Sequence, residues 1–286
     1  MQIKTFFDPD TFTLTYVVFD SSTKDAVVID PVLNFDPKSG AVTQRSNNEL
    51  KDFIDRNSLK VHYLLETHAH ADHMSGSHDL KKLHFPKAKI AIGKNITLVQ
   101  ETFKKFFNLN DLQTDGSQFD ELFSDDQVVK AGSLSFKVLF TPGHTPACVC
   151  YLFNDAVFTG DALFMPDFGT GRCDFPLGSS HDLFTSVSKR LYTLPDSTKV
   201  FVGHDYQPGG RKLEFETTIA TEKSKNIQLN AKTSEAEFVR FRSERDKTLA
   251  APVLLLPSIQ VNIAAGEFPA PESNGVSYLK LPLRRT

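Results

Sequence analysis

The sequence has no tryptophan and only three cysteines, Cys148, Cys150 and Cys173, among its 286 residues. An odd number of cysteines without a Cys-x-x-Cys pair argues against a disulfide framework and against a cysteine zinc knuckle. We interpret these thiols as small buried hydrophobic groups in a reduced, cytoplasmic compartment. In the absence of tryptophan, aromatic packing falls to the 25 phenylalanines.

The sequence also has no strong excess of charge and no long apolar run. Its formal net charge is −3, which gives no reason to expect nucleic acid or a membrane surface as a partner. No apolar segment approaches the length that spans a bilayer. The N-terminus has no basic stretch followed by an apolar run, so we do not expect a secretory signal and expect a cytoplasmic protein.

The length is sufficient for one large or two small domains. Because no linker-like change of composition divides the chain, we predict one domain over residues 1–286, with C-terminal helices and an extended tail from about residue 211. The predicted strands fall into two successive groups that helices separate. This order favours two sheets packed together with helices outside over one parallel wound sheet.

Three helices are predicted in the second half of the chain. The first has Ser179 or Ser180 as its N-cap, because serine hydroxyls accept hydrogen bonds from the first free N–H groups of a helix. Two further helices are predicted near residues 211–230 and 234–249, followed by a proline-punctuated tail from Pro252.

The segment ETHAHADH, residues 66–73, directly follows a predicted strand and contains His68, His70, Asp72 and His73. A loop at the end of a strand can bring side chains together without disturbing the ladder of hydrogen bonds. In an extended loop, positions 68, 70 and 72 share one face, and a turn aims His73 at a neighbouring position. We therefore predict that this segment serves two adjacent cation positions.

Three more candidate ligands follow predicted strands, each beside a glycine that permits tight backbone geometry. They are His144 in TPGHTPA, Asp161 in FTGDALF and His204 in FVGHDY. Each is a weak signal alone, but the four segments in this order predict a metal centre. Histidine and aspartate suit iron, zinc and manganese equally, so the ligand types leave the metal open.

Two chemistries are compatible with these ligands. Two zinc-like ions can share a hydroxide that attacks a carbonyl carbon. Alternatively, one ferrous ion held by two histidines and one carboxylate keeps positions open for a substrate and O2.

These motifs resemble the metallo-β-lactamase superfamily over nearly the whole chain. The resemblance implies an α+β fold, the αββα sandwich of two mixed sheets, with the metal site at one edge between the sheets. In two-metal members, each ion has its own trio of ligands and one carboxylate bridges them. The matching trios are His68, His70 and His144, and Asp72, His73 and His204, with Asp161 as the bridge.

The segments around the ligands look like the persulfide dioxygenase (sulfur dioxygenase) branch. They are ETHAHADHMSGS, FTPGHTPACVCYLF, TGDALFMPDFGTGRCDFP and VGHDYQPGG. This resemblance implies one Fe(II) per chain, held by His68, His144 and Asp161, although zinc or manganese can occupy the same cage. The other four residues, His70, Asp72, His73 and His204, would orient these ligands by hydrogen bonds.

The same resemblance implies that glutathione persulfide and O2 are the substrates and that sulfite and glutathione are the products. The chain has no room for a fused rhodanese domain, so we expect the stand-alone bacterial form. Close relatives associate, so we also expect a homodimer or a higher homo-oligomer.

By resemblance, Arg172 binds the glutathione part of the substrate, since its planar guanidinium suits a carboxylate. The alternative is an ordinary surface pair with Asp174. Tyr206 either contacts the substrate or packs against the pocket. We interpret Cys173 as a bystander rather than a persulfide-sensitive thiol, and the polar segment 110–126 as a loop or lid.

The main alternative function is that of a glyoxalase II-like hydroxyacylglutathione thioesterase with a two-metal site. The tail from Leu256 departs from the helical C-terminal region of those thioesterases, which favours the dioxygenase. A non-catalytic binding protein on the same scaffold is the third possibility, and the retention of all seven ligand-type residues argues against it.

Overall fold

The computed structural model describes residues 1–283, so the last residues of the predicted domain lie outside the described part. Within it, fifteen strands and seven α-helices alternate in two successive halves. The strands are β1 (Gln2–Asp8), β2 (Thr13–Phe19), β3 (Asp25–Ile29), β4 (Val32–Asp36), β5 (Ala41–Thr43), β6 (Lys60–Leu65), β7 (Met74–Ser75), β8 (Lys89–Gly93), β9 (Glu121–Phe123), β10 (Val128–Ala131), β11 (Leu134–Phe140), β12 (Val149–Phe153), β13 (Ala156–Phe158), β14 (Lys199–Phe201) and β15 (Glu216–Thr218). The helices are α1 (Arg45–Arg56), α2 (Ser77–Leu83), α3 (Ile96–Phe107), α4 (Ser180–Thr185), α5 (Ile219–Lys225), α6 (Glu235–Asp246) and α7 (Leu255–Asn262).

The strands form two six-stranded mixed sheets and one small three-stranded sheet. The first sheet has the order β1-β2-β3-β6-β8-β9, antiparallel as far as β3 and parallel from β3 onwards. The second has the order β10-β11-β12-β13-β14-β15, and only β13 and β14 pair in parallel. The small sheet is β5-β4-β7. The predicted α+β class with two mixed sheets is confirmed.

The first sheet is buried on both faces, which explains its nearly continuous apolar strands. Along β3, Val27 and Ile29 pack with Tyr16 in the cluster shared with the second sheet. The intervening residues Ala26 and Val28 belong to the other cluster, which includes residues of α1, α3 and α7. Successive side chains of a strand point to opposite faces, so one apolar run supplies both layers.

Two buried tyrosines tie parts of the fold together through their hydroxyl groups. The hydroxyl of Tyr16, on β2, donates to the carbonyl of Val202, just after β14, at 2.6 Å. The hydroxyl of Tyr151, on β12, donates to the carbonyl of Glu66, just after β6, at 2.7 Å. Each bond joins one six-stranded sheet to the other next to a loop that carries predicted metal ligands, and each satisfies a phenol that would otherwise be buried without a partner.

The C-terminal third differs from the helices predicted for it. The helix predicted near 211–230 is shorter, because β15 occupies its first half and the Thr218 side chain caps α5 by accepting from the Thr221 amide. The tail predicted from Pro252 contains α7. Pro257 does not prevent this helix, because it lies in the first turn, where backbone N–H groups have no partner within the helix. The helix predicted near 234–249 is confirmed as α6.

Of the two serines predicted as the N-cap of a helix, Ser179 is confirmed. The Ser179 hydroxyl accepts a hydrogen bond from the Asp182 amide at 3.1 Å and begins α4. The helical path continues through a π-helical turn at Ser186–Arg190 and a 3₁₀ turn at Leu191–Thr193. The segment 110–126 is mostly loop, but its end forms β9.

Glu222 on α5 leads to a prediction about pH. Its side chain is buried and accepts one hydrogen bond from the Asn226 amide at 2.8 Å, and burial raises its pKa from 4.5 to about 8. Between these pH values the unfolded chain has lost the proton and the folded chain has kept it, so stability falls as pH rises, by up to about 1.4 kcal/mol per pH unit. Glu222→Gln removes this loss. We expect denaturant titrations to show the variant gaining about 1–3 kcal/mol over the wild type between pH 5 and pH 7.5. An equal difference between the two proteins at both pH values would contradict this reasoning.

Candidate metal centre

The predicted ligands all follow the carboxyl ends of strands and come from both large sheets. Residues 66–73, which we call the histidine loop, follow β6 of the first sheet. His144, Asp161 and His204 follow β11, β13 and β14 of the second sheet. The loops meet closely because Gly160 has a left-handed backbone, with φ of +48°, and an added Cβ there would lie only 2.8 Å from the Cβ of Thr67. A glycine is needed at this contact because any side chain would push the loops apart.

His68, His144 and Asp161 form a first trio. Their candidate ligand atoms lie within 4.8 Å of one another, and all three residues are buried. The Nε2 atom of His144 lies 3.5 Å from Oδ2 of Asp161, and the rings of His68 and His144 are 5.0 Å apart at their centroids. Two imidazoles and one carboxylate thus face a shared space.

Hydrogen bonds fix which nitrogen of each ring is free. The carbonyl of Arg172 can only accept, so His144 donates to it from Nδ1 at 2.7 Å and keeps Nε2 unprotonated. The Thr67 hydroxyl donates to Asp30, so it accepts from Nδ1 of His68 at 3.0 Å. Both rings therefore present an Nε2 lone pair, the form in which imidazole binds a metal.

A second trio, His70, Asp72 and His73, lies beside the first. Its candidate ligand atoms are also within 4.8 Å of one another. His204 joins the two trios, since its Nε2 lies 3.1 Å from Oδ2 of Asp72 and 3.4 Å from Oδ1 of Asp161. All seven residues singled out from the sequence are thus brought to one place.

The pattern of unpartnered atoms fits a cation. Among residues 1–283, several buried ligand-type atoms at this place have no hydrogen bond, although polar atoms in protein interiors are normally paired. They are Nε2 of His68 and His73, both ring nitrogens of His70 and His204, Oδ2 of Asp72 and Oδ1 of Asp161. The close approaches among them lack hydrogen-bond geometry, which is consistent with atoms that face common points. Imidazole and carboxylate donors suit iron, zinc and manganese.

Two acidic residues behind the histidines were not predicted as part of the site. Asp30 accepts from the amide of Thr67 at 2.7 Å and from its hydroxyl at 2.8 Å, and its Oδ1 lies 3.0 Å from Nε2 of His70. Glu66 accepts from the hydroxyls of Ser75 and Ser77. Asp30 therefore supports His68 through Thr67 and faces His70 directly. The signal for Asp30 in the sequence was its position as an acidic residue at the end of the apolar run VVID.

Burial controls the charge of these groups. It holds the pKa of His68 and His70 well below the ordinary value, with further lowering from the neighbouring histidines, so both rings are neutral. Burial raises the pKa of the Asp161 carboxyl, an effect that His144 partly opposes. A buried cation would offset this cost of burying a carboxylate, and neutral imidazoles are the form that ligates metals.

A cavity of about 970 Å³ opens onto the first trio. His144, Asp161 and Asp72 lie in its wall, and Tyr206 is also there. The remaining wall is largely apolar and aromatic, formed in part by Phe12, Phe35, Phe164, Phe168, Phe175, Ile227, Phe241 and Val253. Within the described chain, the predicted lid segment 110–126 contributes no residue to this wall.

Tyr206 and Arg172 both lie in the cavity wall. The ring of Tyr206 stacks on His204 with centroids 5.6 Å apart. The Arg172 fork binds the Asp174 carboxylate through two bonds of 2.6 Å and donates to the carbonyl of Ala250 at 2.7 Å. The pair with Asp174, considered as an alternative for Arg172, is thus present in the structure.

Cys173 is unsuited to react as a thiolate. It is buried, and burial raises the pKa of its thiol to about 12. A thiol that keeps its proton at neutral pH is a poor nucleophile.

Comparison with known proteins gives a family match over residues 8–204 and relatives that cover nearly the whole chain. The family model described as "Metallo-beta-lactamase superfamily" matches residues 8–204. Glyoxylase B2 of Dictyostelium discoideum is 48% identical over 284 residues, 99% of this chain and 97% of that protein. The mitochondrial persulfide dioxygenase ETHE1 of Homo sapiens is 31% identical over 206 residues, 71% of this chain and 68% of that protein. The crystal structure of ETHE1 from Myxococcus xanthus matches with a TM-score of 0.74 and 31% identity, covering 93% of this chain and 100% of that one.

The helices give no sign of a membrane-spanning segment. Over residues 1–283, none is both long enough and apolar enough to cross a bilayer.

Proposed function

The chain belongs to the metallo-β-lactamase superfamily, and from this premise we propose that it is an Fe(II)-dependent persulfide dioxygenase of the cytoplasm. It oxidises glutathione persulfide with O2 and water to sulfite and glutathione, and so removes sulfide-derived sulfur. The similarity to ETHE1 in sequence and structure supports this branch of the superfamily.

The observation that carries the proposal is the composition of the first trio at the cavity. His68, His144 and Asp161 are two imidazoles and one carboxylate, and His70 groups instead with Asp72 and His73. Such a set would hold one Fe(II), which would supply the redox chemistry that joins oxygen to sulfur. Zinc, which has no redox chemistry, could not mediate the transfer of electrons from the sulfur to O2.

Residues around the first trio orient the ligand imidazoles and exclude water from the cavity. The Arg172 carbonyl and Thr67 fix the tautomers of His144 and His68, so both rings are held ready before an ion binds. Phe164, Phe168 and Tyr206 pack as an aromatic wall beside the ligands. This apolar lining excludes water from the reacting sulfur and strengthens electrostatic interactions inside the cavity.

Arginines in the wall are suited to the two carboxylates of a glutathione persulfide. Arg242 is buried and paired with Asp246, so it is committed to the fold. Arg172 is paired with Asp174, but a guanidinium has five N–H donors, and within residues 1–283 three of them are used. Arg245 was not predicted from the sequence. It is exposed in the wall, and in the described part of the chain its guanidinium donates only to the Thr248 hydroxyl, at 3.2 Å. We assign the substrate carboxylates to Arg172 and Arg245.

The function is tested by metal content and O2 uptake together. Protein made with iron available and purified anaerobically should contain about one iron per chain. It should consume O2 when given glutathione persulfide and release sulfite. Stoichiometric zinc in such a preparation, combined with no O2 uptake after iron loading, would refute the proposal.

Substitution of the two arginines should separate substrate binding from metal binding. In Arg172→Ala and Arg245→Ala we expect KM for glutathione persulfide to rise about 10-fold or more, because each loses a charge-assisted hydrogen bond to a carboxylate. Iron content should be unchanged, since both side chains leave the ligands in place. Arg190→Ala is the matched control, because Arg190 makes a similar bidentate pair with Asp125 outside the cavity. Unchanged kinetics in both cavity variants would show that the carboxylates bind elsewhere.

The second candidate is a glyoxalase II-like hydroxyacylglutathione thioesterase with two metal ions. The second trio and the position of His204 between Asp72 and Asp161 favour it, as does the 48% identity to Glyoxylase B2. Rapid cleavage of a glutathione thioester under nitrogen by protein that holds two ions per chain would establish this function. Absence of cleavage with both sites filled would remove it.

A further inference from the structure

The C-terminal helix α7 reaches the histidine loop through one buried side chain. Asn262, the last residue of α7, donates from Nδ2 to the carbonyl of His70 at 2.7 Å and to the carbonyl of His73 at 2.8 Å. Its Oδ1 accepts from the amide of Ser75 at 2.8 Å. Both donors of the amide and its acceptor are thus used on one short segment nearly two hundred residues earlier in the chain.

These three bonds determine the shape of the segment that carries the second trio. The carbonyls of His70 and His73 lie on either side of Asp72, so a single planar amide holds both ends of the turn on which Asp72 lies. Buried hydrogen bonds of this kind are costly to leave unmade, because the freed carbonyls have no access to water. The backbone positions of His70, Asp72 and His73 therefore depend on Asn262.

The helix that carries Asn262 is itself held on several sides. Val261 packs with Leu33 and Met74, and Met74 directly follows the trio. The Gln100 side chain on α3 donates to the carbonyl of Ile263 at 2.8 Å. Just beyond the helix, an added Cβ at Gly266 would lie 3.0 Å from the carbonyl oxygen of Ser75. The Asn262 side-chain amide therefore contacts the histidine loop from a helix that is packed in place.

We infer that Asn262 is a positioning residue of the metal centre. It acts through the backbone of the histidine loop, touches no ligand atom, and sets the relative positions of His70, Asp72 and His73. Partners that orient metal-binding groups commonly change metal affinity by about 10- to 100-fold when they are lost. The inference does not rest on the proposed reaction, because either one or two ions would need the same loop geometry.

The test measures metal binding directly, without an activity assay. Metal-free protein is titrated with Co²⁺, and the affinity and the visible absorption of the bound ion are recorded. We expect Asn262→Ala and Asn262→Asp to bind Co²⁺ about 10- to 100-fold more weakly, with a changed absorption spectrum. In Asn262→Asp the shape is kept, but an oxygen replaces the donor that faces two carbonyl oxygens.

Gln260→Ala is the matched control. Gln260 is buried on the same helix two residues earlier, but its side chain bonds to the carbonyls of Leu256 and Lys280 and to the Lys280 amide, away from the loop. Its loss should lower thermal stability and leave Co²⁺ affinity and spectrum unchanged. Asn262→Gln, which keeps the amide and displaces it by one methylene, covers the case in which the other two variants fail to fold, and it should also weaken Co²⁺ binding.

Wild-type Co²⁺ binding in the Asn262 variants would overturn the inference in either of two forms. One is wild-type Co²⁺ affinity and absorption in folded Asn262→Ala and Asn262→Asp, even if their melting temperatures fall. The other, if those two do not fold, is wild-type Co²⁺ binding by Asn262→Gln. A loss of affinity in Gln260→Ala as large as in the Asn262 variants would likewise show that any damage to α7 has the same effect, and would remove the specific role of Asn262.

Discussion

Asp161→Ala is expected to lose the metal ion and catalysis together, with activity falling by roughly 10³-fold or more. Asp161 supplies the only carboxylate of the first trio, and its Oδ1 and Oδ2 lie 3.4 Å from His204 and 3.5 Å from His144. Without it, two neutral imidazoles remain to hold a divalent cation, and the charge that balances the ion is gone. Metal analysis of the purified variant and an oxygen-electrode trace with glutathione persulfide measure both effects.

Asp155→Ala is the control for this variant. Asp155 comes just before β13 and Asp161 comes just after it, so the two carboxylates lie at opposite ends of one strand. Asp155 is exposed and lies outside the ligand cluster, so its removal should leave metal content and rate unchanged. Full iron content in Asp161→Ala would mean that the first trio is not the ion-binding set.

Asp30→Ala is expected to lower the free energy of unfolding of the metal-free protein by about 3–5 kcal/mol. Its carboxylate is buried and accepts two hydrogen bonds from Thr67, so the variant leaves the amide N–H and the hydroxyl O–H of Thr67 buried without an acceptor. Each unpaired group costs about 1–3 kcal/mol. The left-handed backbone of Asp30, with φ of +50°, adds strain for alanine. Burial of the carboxylate raises its pKa and offsets part of the loss.

Denaturant titration of Asp30→Ala, Asp30→Asn and Asp20→Ala would test this expectation. Asp30→Asn keeps one acceptor and should lose less stability than Asp30→Ala. Asp20 also follows a strand and accepts from two amides, those of Ser22 and Thr23, but in an exposed turn. Its removal should have a much smaller effect, because water replaces the lost bonds. Equal losses in Asp20→Ala and Asp30→Ala would contradict the role given to burial.

The sequence predicted the structure best where several residues pointed to the same feature. Ligand-type residues in four segments, each after an apolar strand, indicated one common site, and the structure brings all seven together. The two packed sheets also followed from the order of the strands, whereas their mixed pairing was implied by the family resemblance. Both inferences rest on local patterns, apolar alternation and strand ends, that hold whatever the rest of the chain does.

Features that depend on contacts between distant segments could not be predicted. The hydrogen bond from the Arg172 guanidinium to the carbonyl of Ala250 requires that the chain just after α6 lie beside the cavity. Asn262 lies in a segment that its prolines indicated as an extended tail, and only the packing of α7 on the small sheet gives its amide a function. Asparagine at a helix end is ordinary in sequence terms, so no local pattern distinguishes this one.

The ligands come from both large sheets, and this placement affects how the protein unfolds. His68 belongs to a loop of the first sheet, His144 and Asp161 belong to loops of the second, and His204 forms a bridge with Thr13 at the start of β2. An ion held there cross-links the two large sheets at one edge, so the sheets cannot separate until the ion dissociates. Dissociation of the ion and separation of the sheets are then coupled in one unfolding step. The melting temperature of the metal-bound protein therefore rises with the concentration of free metal.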